Sequence, residues 1–215
     1  MSAEVPTTDR VPFTTYLKDY FVHVLGQIRV LKITYPGVMH FLIFWGMTLL
    51  TVGHIVRLMQ MALFLPFALP FPRGNTYLIF ETVSDIAGLA LLVGILMALF
   101  RRLVLRPSNL ETRWDDIFAL IMLSLLPLMG YFNGALRLTA TKPDWASASP
   151  VEHLLSGWLQ GAGMTAQQAN DLHLPMVLLH LSIGLVLLAS IPYTKLRHLV
   201  ATPLNILLRN RKSDG

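Results

Sequence analysis

The sequence contains no cysteine in its 215 residues. It can therefore form neither a disulfide nor the thiolate ligands of an iron–sulfur cluster, and any such cluster that works with this chain must sit on a partner. Charge is scarce as well, because only 13% of the residues are charged while 54% are hydrophobic and the mean hydropathy is +0.57. This composition is too apolar for a soluble domain of this size and predicts an integral membrane protein.

Four segments have the length of about 20 mostly apolar residues that a membrane-spanning helix requires. They cover residues 38–57, 77–100, 116–136 and 174–192. The predicted fold is all-α, an integral membrane four-helix bundle within residues 37–200. Before it, residues 1–36 form an N-terminal segment that includes an amphipathic surface helix, and residues 201–215 form a basic cytoplasmic tail.

The basic residues are unevenly divided between the two sides of this bundle. Thirteen of the seventeen Lys and Arg residues lie before the first span, between the second and third spans, or after the fourth. The remaining four are Arg57, Arg73, Arg137 and Lys142. By the positive-inside rule, both termini are expected in the cytoplasm, and the net charge of +5 reflects this topology rather than nucleic-acid binding.

Two connections on the predicted outer side have distinctive composition. Residues 61–72, MALFLPFALPFP, contain three prolines and are predicted to be an apolar outer-surface or re-entrant segment rather than a continuous helix. In the long polar connection of residues 137–173, the stretch SPVEHLLSGWLQGAG predicts a short helix. Thr165 is placed to cap another helix after it.

Four histidines fall in or beside the first and last spans: His40, His54, His180 and His198. Fourteen residues separate the first two, which brings them to within about 40° of one helical face. Eighteen residues, or five whole turns, separate the last two. Histidine is costly in hydrocarbon and is a common ligand of haem iron. The pattern therefore predicts two haems, each held by one histidine from each span.

Helical rise predicts which histidines meet, because the two spans run in opposite directions. With His40 and His198 at the cytoplasmic level, His54 lies about 21 Å outward and His180 about 27 Å outward. Helix tilt and a kink at Pro192 can absorb the difference of about 6 Å. We expect an inner haem on His40 and His198 and an outer haem on His54 and His180. Hydrogen bonding between helices is the other role open to these side chains.

Three arginines lie where anionic haem propionates would need cationic partners. Arg57 is one turn beyond His54, Arg197 precedes His198, and Arg137 is at the outer end of the third span. Arginines at helix ends also simply extend to the interface and set the topology. Both roles remain open for each of them.

Two carboxylates, Glu81 and Asp85, lie one turn apart in the outer half of the second span. Embedded carboxylates are costly unless they are paired or functional, and oxidation of a quinol must release protons. They are candidates to accept or carry those protons. The alternative is a polar patch that is wetted from outside or paired with Arg57 or Arg73.

Three stretches resemble a known family. They are YPGVMHFLIFWG around His40, RPSNLETRWDDIFAL leading into the third span, and HLSIGLVLLASIPYTKLRHLVATPLN from His180 through His198. The sequence resembles, over about residues 27–210, the cytochrome b or gamma subunit of respiratory nitrate reductase and the membrane domains of heterodisulfide-reductase-like iron–sulfur oxidoreductases. It departs from the nitrate reductase pattern at His54, which follows His40 at a longer spacing.

The resemblance implies a haem b cytochrome that exchanges electrons between membrane quinone and a cytoplasmic iron–sulfur partner subunit, as part of an oxidoreductase complex in the cell membrane. The quinone is expected near the outer haem, and electrons could flow in either direction. One alternative is a single-haem membrane anchor in which His54 serves the quinone. Another is a haem-free scaffold or small transporter, with Glu81, Asp85 and the histidines lining a proton path.

Overall fold

The computed structural model describes residues 26–27, 31–32, 34–64, 72–108, 113–198 and 201. Within these ranges the chain is helical and contains no β-strand. Most of the predicted amphipathic segment, the middle of the proline-rich connection and nearly all of the basic tail lie outside them, so those three predictions are not addressed by the fold.

Four long helices dominate the structure, and one short helix connects the last two. They are α1 (Thr34–Met59), α2 (Gly74–Phe100), α3 (Trp114–Thr141), α4 (Pro150–Gly161) and α5 (Ala166–Ser190). Single π-helical turns extend α1 over Gln60–Phe64 and α2 over Arg101–Leu105. The long helices α1, α2, α3 and α5 are each long and apolar enough to cross a membrane, which confirms the four predicted spans.

The fourth span begins at Ala166, earlier than predicted, because an N-cap starts the helix in the polar stretch that precedes its apolar part. Thr165 Oγ1 accepts a hydrogen bond from the backbone N–H of Gln168 at 3.2 Å, and Gln168 Oε1 accepts one from the backbone N–H of Thr165 at 2.9 Å. This reciprocal capping box starts α5 directly. Thr165 therefore caps another helix after the short one, as predicted, and that helix is the fourth span itself. The predicted short helix is present as α4.

The end of the fourth span also differs from the continuous helix assumed from the histidine spacing. Helix α5 ends at Ser190, and two 3₁₀ turns follow at Ile191–Tyr193 and Lys195–Arg197. Pro192 lies in the first turn, where its missing N–H cannot continue the α-helical ladder. The prediction that five continuous helical turns join His180 to His198 is therefore wrong. His198 lies on a bent segment after the end of α5.

The long helices pack as a row in the order α1, α2, α3, α5, with α4 lying against α3. Within the described ranges, α1 and α5 make few or no close backbone contacts with each other. The apolar core lies mainly between α2, α3 and α5: Leu91, Ile95, Ala119, Leu123, Leu187 and Leu196. We call the end of the bundle that carries α4 the loop end; it corresponds to the predicted outer side.

Close approach of α1 to α2 depends on glycine. A Cβ atom on Gly46 would lie 2.8 Å from the Ala87 carbonyl oxygen and 2.8 Å from the Leu91 backbone nitrogen. Because these neighbours are backbone atoms, they cannot move aside without separating the helices. Small residues at such contacts let membrane helices pack at short range.

We predict that Gly46→Val destabilises the bundle by about 1–3 kcal/mol because it forces α1 away from α2. Unfolding in mixed detergent micelles measures this change in free energy. Gly157→Val is the matched control, since nothing lies within 4 Å of a Cβ on that α4 glycine. Equal stability of the two variants would contradict the proposed packing constraint.

Candidate functional site: paired histidines and an ion cluster

The histidine nearest the loop end of α1 meets one from α5. His54 Nε2 lies 3.2 Å from His180 Nε2, and the two rings are stacked with centroids 5.5 Å apart and planes inclined by 12°. The side chains thus bridge two helices whose backbones stand apart.

The second pair lies toward the other end of α1. The ring centroids of His40 and His198 are 6.5 Å apart, with planes inclined by 44°. The structure therefore brings together the same two pairs that helical rise predicts, although the 3₁₀ turns after α5 place His198. About 21 Å of helix separates His40 from His54, so the pairs lie at two distinct levels of the bundle.

Hydrogen bonds orient the two histidines of α1. His40 Nδ1 lies 3.0 Å from the side-chain Oε1 of Gln27, and His54 Nδ1 lies 2.7 Å from the Leu50 carbonyl oxygen. Both oxygens are acceptors, so each Nδ1 carries the proton and each Nε2 of a neutral ring presents a lone pair. This is the orientation that metal-ligating histidines require.

These pairs suit a haem iron better than a metal ion held by protein alone. Two imidazoles bound on opposite sides of one metal ion, at about 2.0 Å each, have ring centres roughly 6 Å apart. The His40–His198 separation of 6.5 Å is close to that value. The His54–His180 rings, 5.5 Å apart with their Nε2 atoms 3.2 Å apart, would have to open by about 1 Å to admit a metal. No group of three or more His, Cys, Asp or Glu ligands occurs in the part of the chain that the structure describes. A porphyrin, which supplies its own four nitrogens, needs only two protein ligands.

A buried carboxylate anchors the loop end of the bundle. Glu81 of α2 is 1% exposed and forms ion pairs with Arg57 at 3.2 Å and with Arg137 at 2.8 Å. Two guanidinium groups from α1 and α3 thus converge on one carboxylate in α2. Of the two pairings considered for Glu81 from sequence, the structure forms the one with Arg57, whereas Arg73 is exposed at the start of α2.

Arg137 links this carboxylate to the connection between α3 and α5. Its guanidinium forms an ion pair with Glu152 at 3.1 Å, donates to the Tyr77 hydroxyl at 2.9 Å, and lies 5.1 Å from the centre of the Trp145 ring. We call Arg57, Glu81, Arg137 and Glu152 the ion cluster. It lies one helical turn beyond the His54–His180 pair on α1.

Asp85 has a structural task that its position in the sequence did not reveal. Its carboxylate accepts hydrogen bonds from the backbone N–H groups of Val151 at 2.9 Å and Glu152 at 3.2 Å. These are orphan donors in the first turn of α4, where the helix dipole also favours a negative charge. Asp85 therefore holds α4 against α2.

Glu152 is the member of the cluster that sequence reasoning missed. Its carboxylate fills the space beside Gly134 of α3, where a Cβ atom would overlap the Glu152 carboxyl group. Burial raises the pKa of Glu152 to about 7, because this effect outweighs the opposing influence of Arg137. A glutamate in the first turn of a short helix is common on exposed helices, so its position in the sequence did not predict burial. The one sequence signal was Gly134, a glycine inside a long apolar helix, which leaves space for a neighbouring side chain.

Arg197 does not take part in the ion cluster. It is exposed in the 3₁₀ turn next to His198, at the opposite end of the bundle from α4. Its position thus remains compatible with either role considered from the sequence. The other two candidate arginines, Arg57 and Arg137, lie together at the loop end.

The fold and these residues define a class, that of helical membrane proteins with histidines paired across their helices. The chain belongs to the nitrate reductase gamma subunit family, whose sequence profile matches residues 29–212. It is thus a membrane subunit, as the four candidate spans also indicate. No solved structure matches the chain significantly.

Individual relatives point to electron-transfer proteins. The EtfAB:quinone oxidoreductase of Syntrophomonas wolfei is 28% identical over 205 residues, which cover 89% of this chain and 28% of that protein. One component of the dihydromethanophenazine:CoB–CoM heterodisulfide reductase of Methanosarcina barkeri is 27% identical over 194 residues, covering 89% of this chain and 65% of the relative. A probable iron–sulfur-binding oxidoreductase of Bacillus subtilis is 24% identical, with 28% of its length covered. The chain thus spans less than two thirds of each of these relatives.

We predict that Asp85→Ala loosens α4, because the Val151 and Glu152 amides lose their acceptor in a buried setting. The expected cost is about 1–3 kcal/mol, with faster hydrogen exchange at those two amides. Asp171→Ala is the control, since that exposed carboxylate accepts only from Gln167 within its own helix among the described contacts. Unchanged exchange in Asp85→Ala would show that α4 is held by other contacts.

Proposed function

We propose that this chain is a di-haem cytochrome b, the membrane subunit of an oxidoreductase complex that exchanges electrons between membrane quinone and a cytoplasmic iron–sulfur partner subunit. The observation that carries the proposal is a pair of neighbouring histidines at each of two levels, one from α1 and the other from α5 or the bent segment that follows it. Membership of the nitrate reductase gamma subunit family supports it. Bound haem would supply a one-electron carrier at each level.

The residues assigned to each haem follow from the two contacts. His40 and His198 would hold the inner haem, and His54 and His180 the outer one. Gln27 and the Leu50 carbonyl oxygen hold the Nδ1 atoms of the two α1 rings, which leaves each Nε2 for the metal. Because the two helices stand apart in their backbones, a flat group between them requires a shift of side chains rather than a rearrangement of the bundle.

Arginines at both levels could neutralise haem propionates. Arg57 lies one turn from His54, and 39% of its side chain is exposed although it also pairs with Glu81. Arg197 directly precedes His198, in the last 3₁₀ turn. Arg137 is committed to Glu81, Glu152 and Tyr77, so we assign it to the ion cluster and assign propionate binding to the other two.

The quinone and the partner protein are assigned to opposite ends. The ion cluster places buried ionisable groups beside the His54–His180 pair at the loop end. These groups could handle quinol protons, which favours the outer haem for quinone. The names of two relatives include a quinone oxidoreductase and an iron–sulfur-binding oxidoreductase. Because these 215 residues contain no cysteine, the iron–sulfur centre is assigned to a cytoplasmic partner outside them.

A second candidate, a single-haem anchor, is favoured by one distance. The 3.2 Å contact between His54 Nε2 and His180 Nε2 is already a hydrogen bond, so these two rings can satisfy each other without iron. In that case only His40 and His198 hold haem, and His54 is available to a quinone. Counting haems separates the two candidates.

We predict two haems per purified full-length chain, with reducible Soret and α absorption bands. His54→Ala and His40→Ala should each retain one haem, because each removes one of the two histidines that would hold a different haem. His153→Ala, which alters an exposed histidine of α4, should retain both. Haem extraction and quantification per chain measure these values.

The outcomes discriminate among the candidates. One haem that survives His54→Ala and is lost in His40→Ala would establish the single-haem anchor. Absence of haem from the wild-type chain after expression with ample haem supply would overturn the cytochrome proposal and favour the haem-free alternatives.

A further inference from the structure

Three carboxylates lie in or beside the ion cluster, but the cluster has only two guanidinium groups to balance them. Glu81 binds both guanidinium groups, whereas Glu152 shares Arg137 with it. Asp85 already accepts two backbone N–H groups of α4. Of these three carboxylates, Glu152 has the fewest partners, a single ion pair with an arginine that also binds Glu81. It is therefore the carboxylate best able to exchange a proton.

Glu152 is also close to the histidine pair at the loop end, because both His180 and Glu152 lie against α3, one turn apart. A Cβ atom on Gly130 would lie 3.7 Å from His180 Cε1, and one on Gly134 would overlap the Glu152 carboxyl carbon. Residues four apart lie on the same face of a helix, about 6 Å from one another along its axis. The Glu152 carboxylate thus lies about one turn beyond the His180 ring, toward the loop end.

Other polar groups surround the same region between α3 and α5. Asn133 of α3 donates to the Met176 carbonyl of α5, but its Oδ1 is buried and has no hydrogen-bond partner among the described residues. His173 lies two turns from His180 on one face of α5 and is close enough to Arg137 to interact with it electrostatically. An unpaired acceptor on the residue next to Gly134, whose Cβ position the Glu152 carboxyl group fills, suits a ligand that carries hydroxyl groups.

We propose that Glu152 is the catalytic base that accepts the hydroxyl protons of quinol at the loop end of the bundle. The inference rests on the proposed function and deepens it. Oxidation of one quinol to quinone breaks two O–H bonds and releases two electrons, which leave singly to the one-electron carriers of the proposed function. Glu152 takes the first proton, passes it to water at the loop end, and then takes the second.

The charged and titratable groups around Glu152 allow this exchange near neutral pH. They are Arg57 from α1, Glu81 and Asp85 from α2, Tyr131 and Arg137 from α3, and His173 from α5. Burial raises the pKa of Glu152 to about 7 in this setting, so the group is half deprotonated at that pH. A base must be deprotonated to act, and the rate of quinol oxidation is therefore expected to rise through pH 7 and to level off above it.

The first test is infrared titration of the full-length chain, which requires no bound haem. The wild type should show a protonated-carboxyl band that disappears with a midpoint near pH 7, and Glu152→Gln should lack it. Asp171→Asn, which alters an exposed carboxylate at the same end, should retain it. A wild-type chain without such a band, or a band that persists in Glu152→Gln, overturns the inference.

The second test is the rate of haem reduction by menadiol in the haem-loaded chain, measured against pH. Glu152→Gln should slow reduction by about 10²-fold or more and remove the rise through pH 7. Glu152→Asp should retain a pH-dependent rate, and Asp171→Asn should match the wild type. If haem is bound but Glu152→Gln preserves both rate and pH profile, this inference fails while the proposed function stands. If no haem binds, the proposed function itself fails.

Discussion

The structure depends on a single constraint, that polar side chains inside an apolar bundle must find partners within the protein. At the loop end this constraint gathers four helices around two carboxylates. Glu81 draws Arg57 of α1 and Arg137 of α3 onto α2, and Asp85 draws the first turn of α4 onto the same helix. The apolar faces hold the helices together, but these contacts fix how they are arranged.

The same constraint links the architecture to the proposed chemistry. The His54 and His180 rings meet by their Nε2 atoms between α1 and α5, and the His40 and His198 rings lie close together at the other level. That arrangement also suits an iron between two imidazoles. Glu152 is brought into the protein because α4 docks on Asp85 and because Gly134 leaves room for its side chain. A contact that stabilises the connection between α3 and α5 thus also places a protonatable group beside a histidine pair.

The sequence predicts the parts of this arrangement that depend on local pattern. The four spans follow from apolar runs of sufficient length, and the pairs His40–His198 and His54–His180 follow from helical rise and opposite helix directions. It does not predict contacts between distant segments. Arg137 and Glu81 are 56 residues apart, and Asp85 and Val151 are 66 apart, so no spacing rule relates them. Hydropathy also places the start of α5 too late in the chain, because the capping box at Thr165 begins the helix before its most apolar part.

The central claim is that each histidine pair ligates one haem iron. Electron paramagnetic resonance of the oxidised full-length chain tests it most directly, because two imidazole ligands produce low-spin ferric haem. The account predicts two distinct low-spin signals, one for each level of the bundle. High-spin ferric haem at either level, or no haem signal at all, would contradict it.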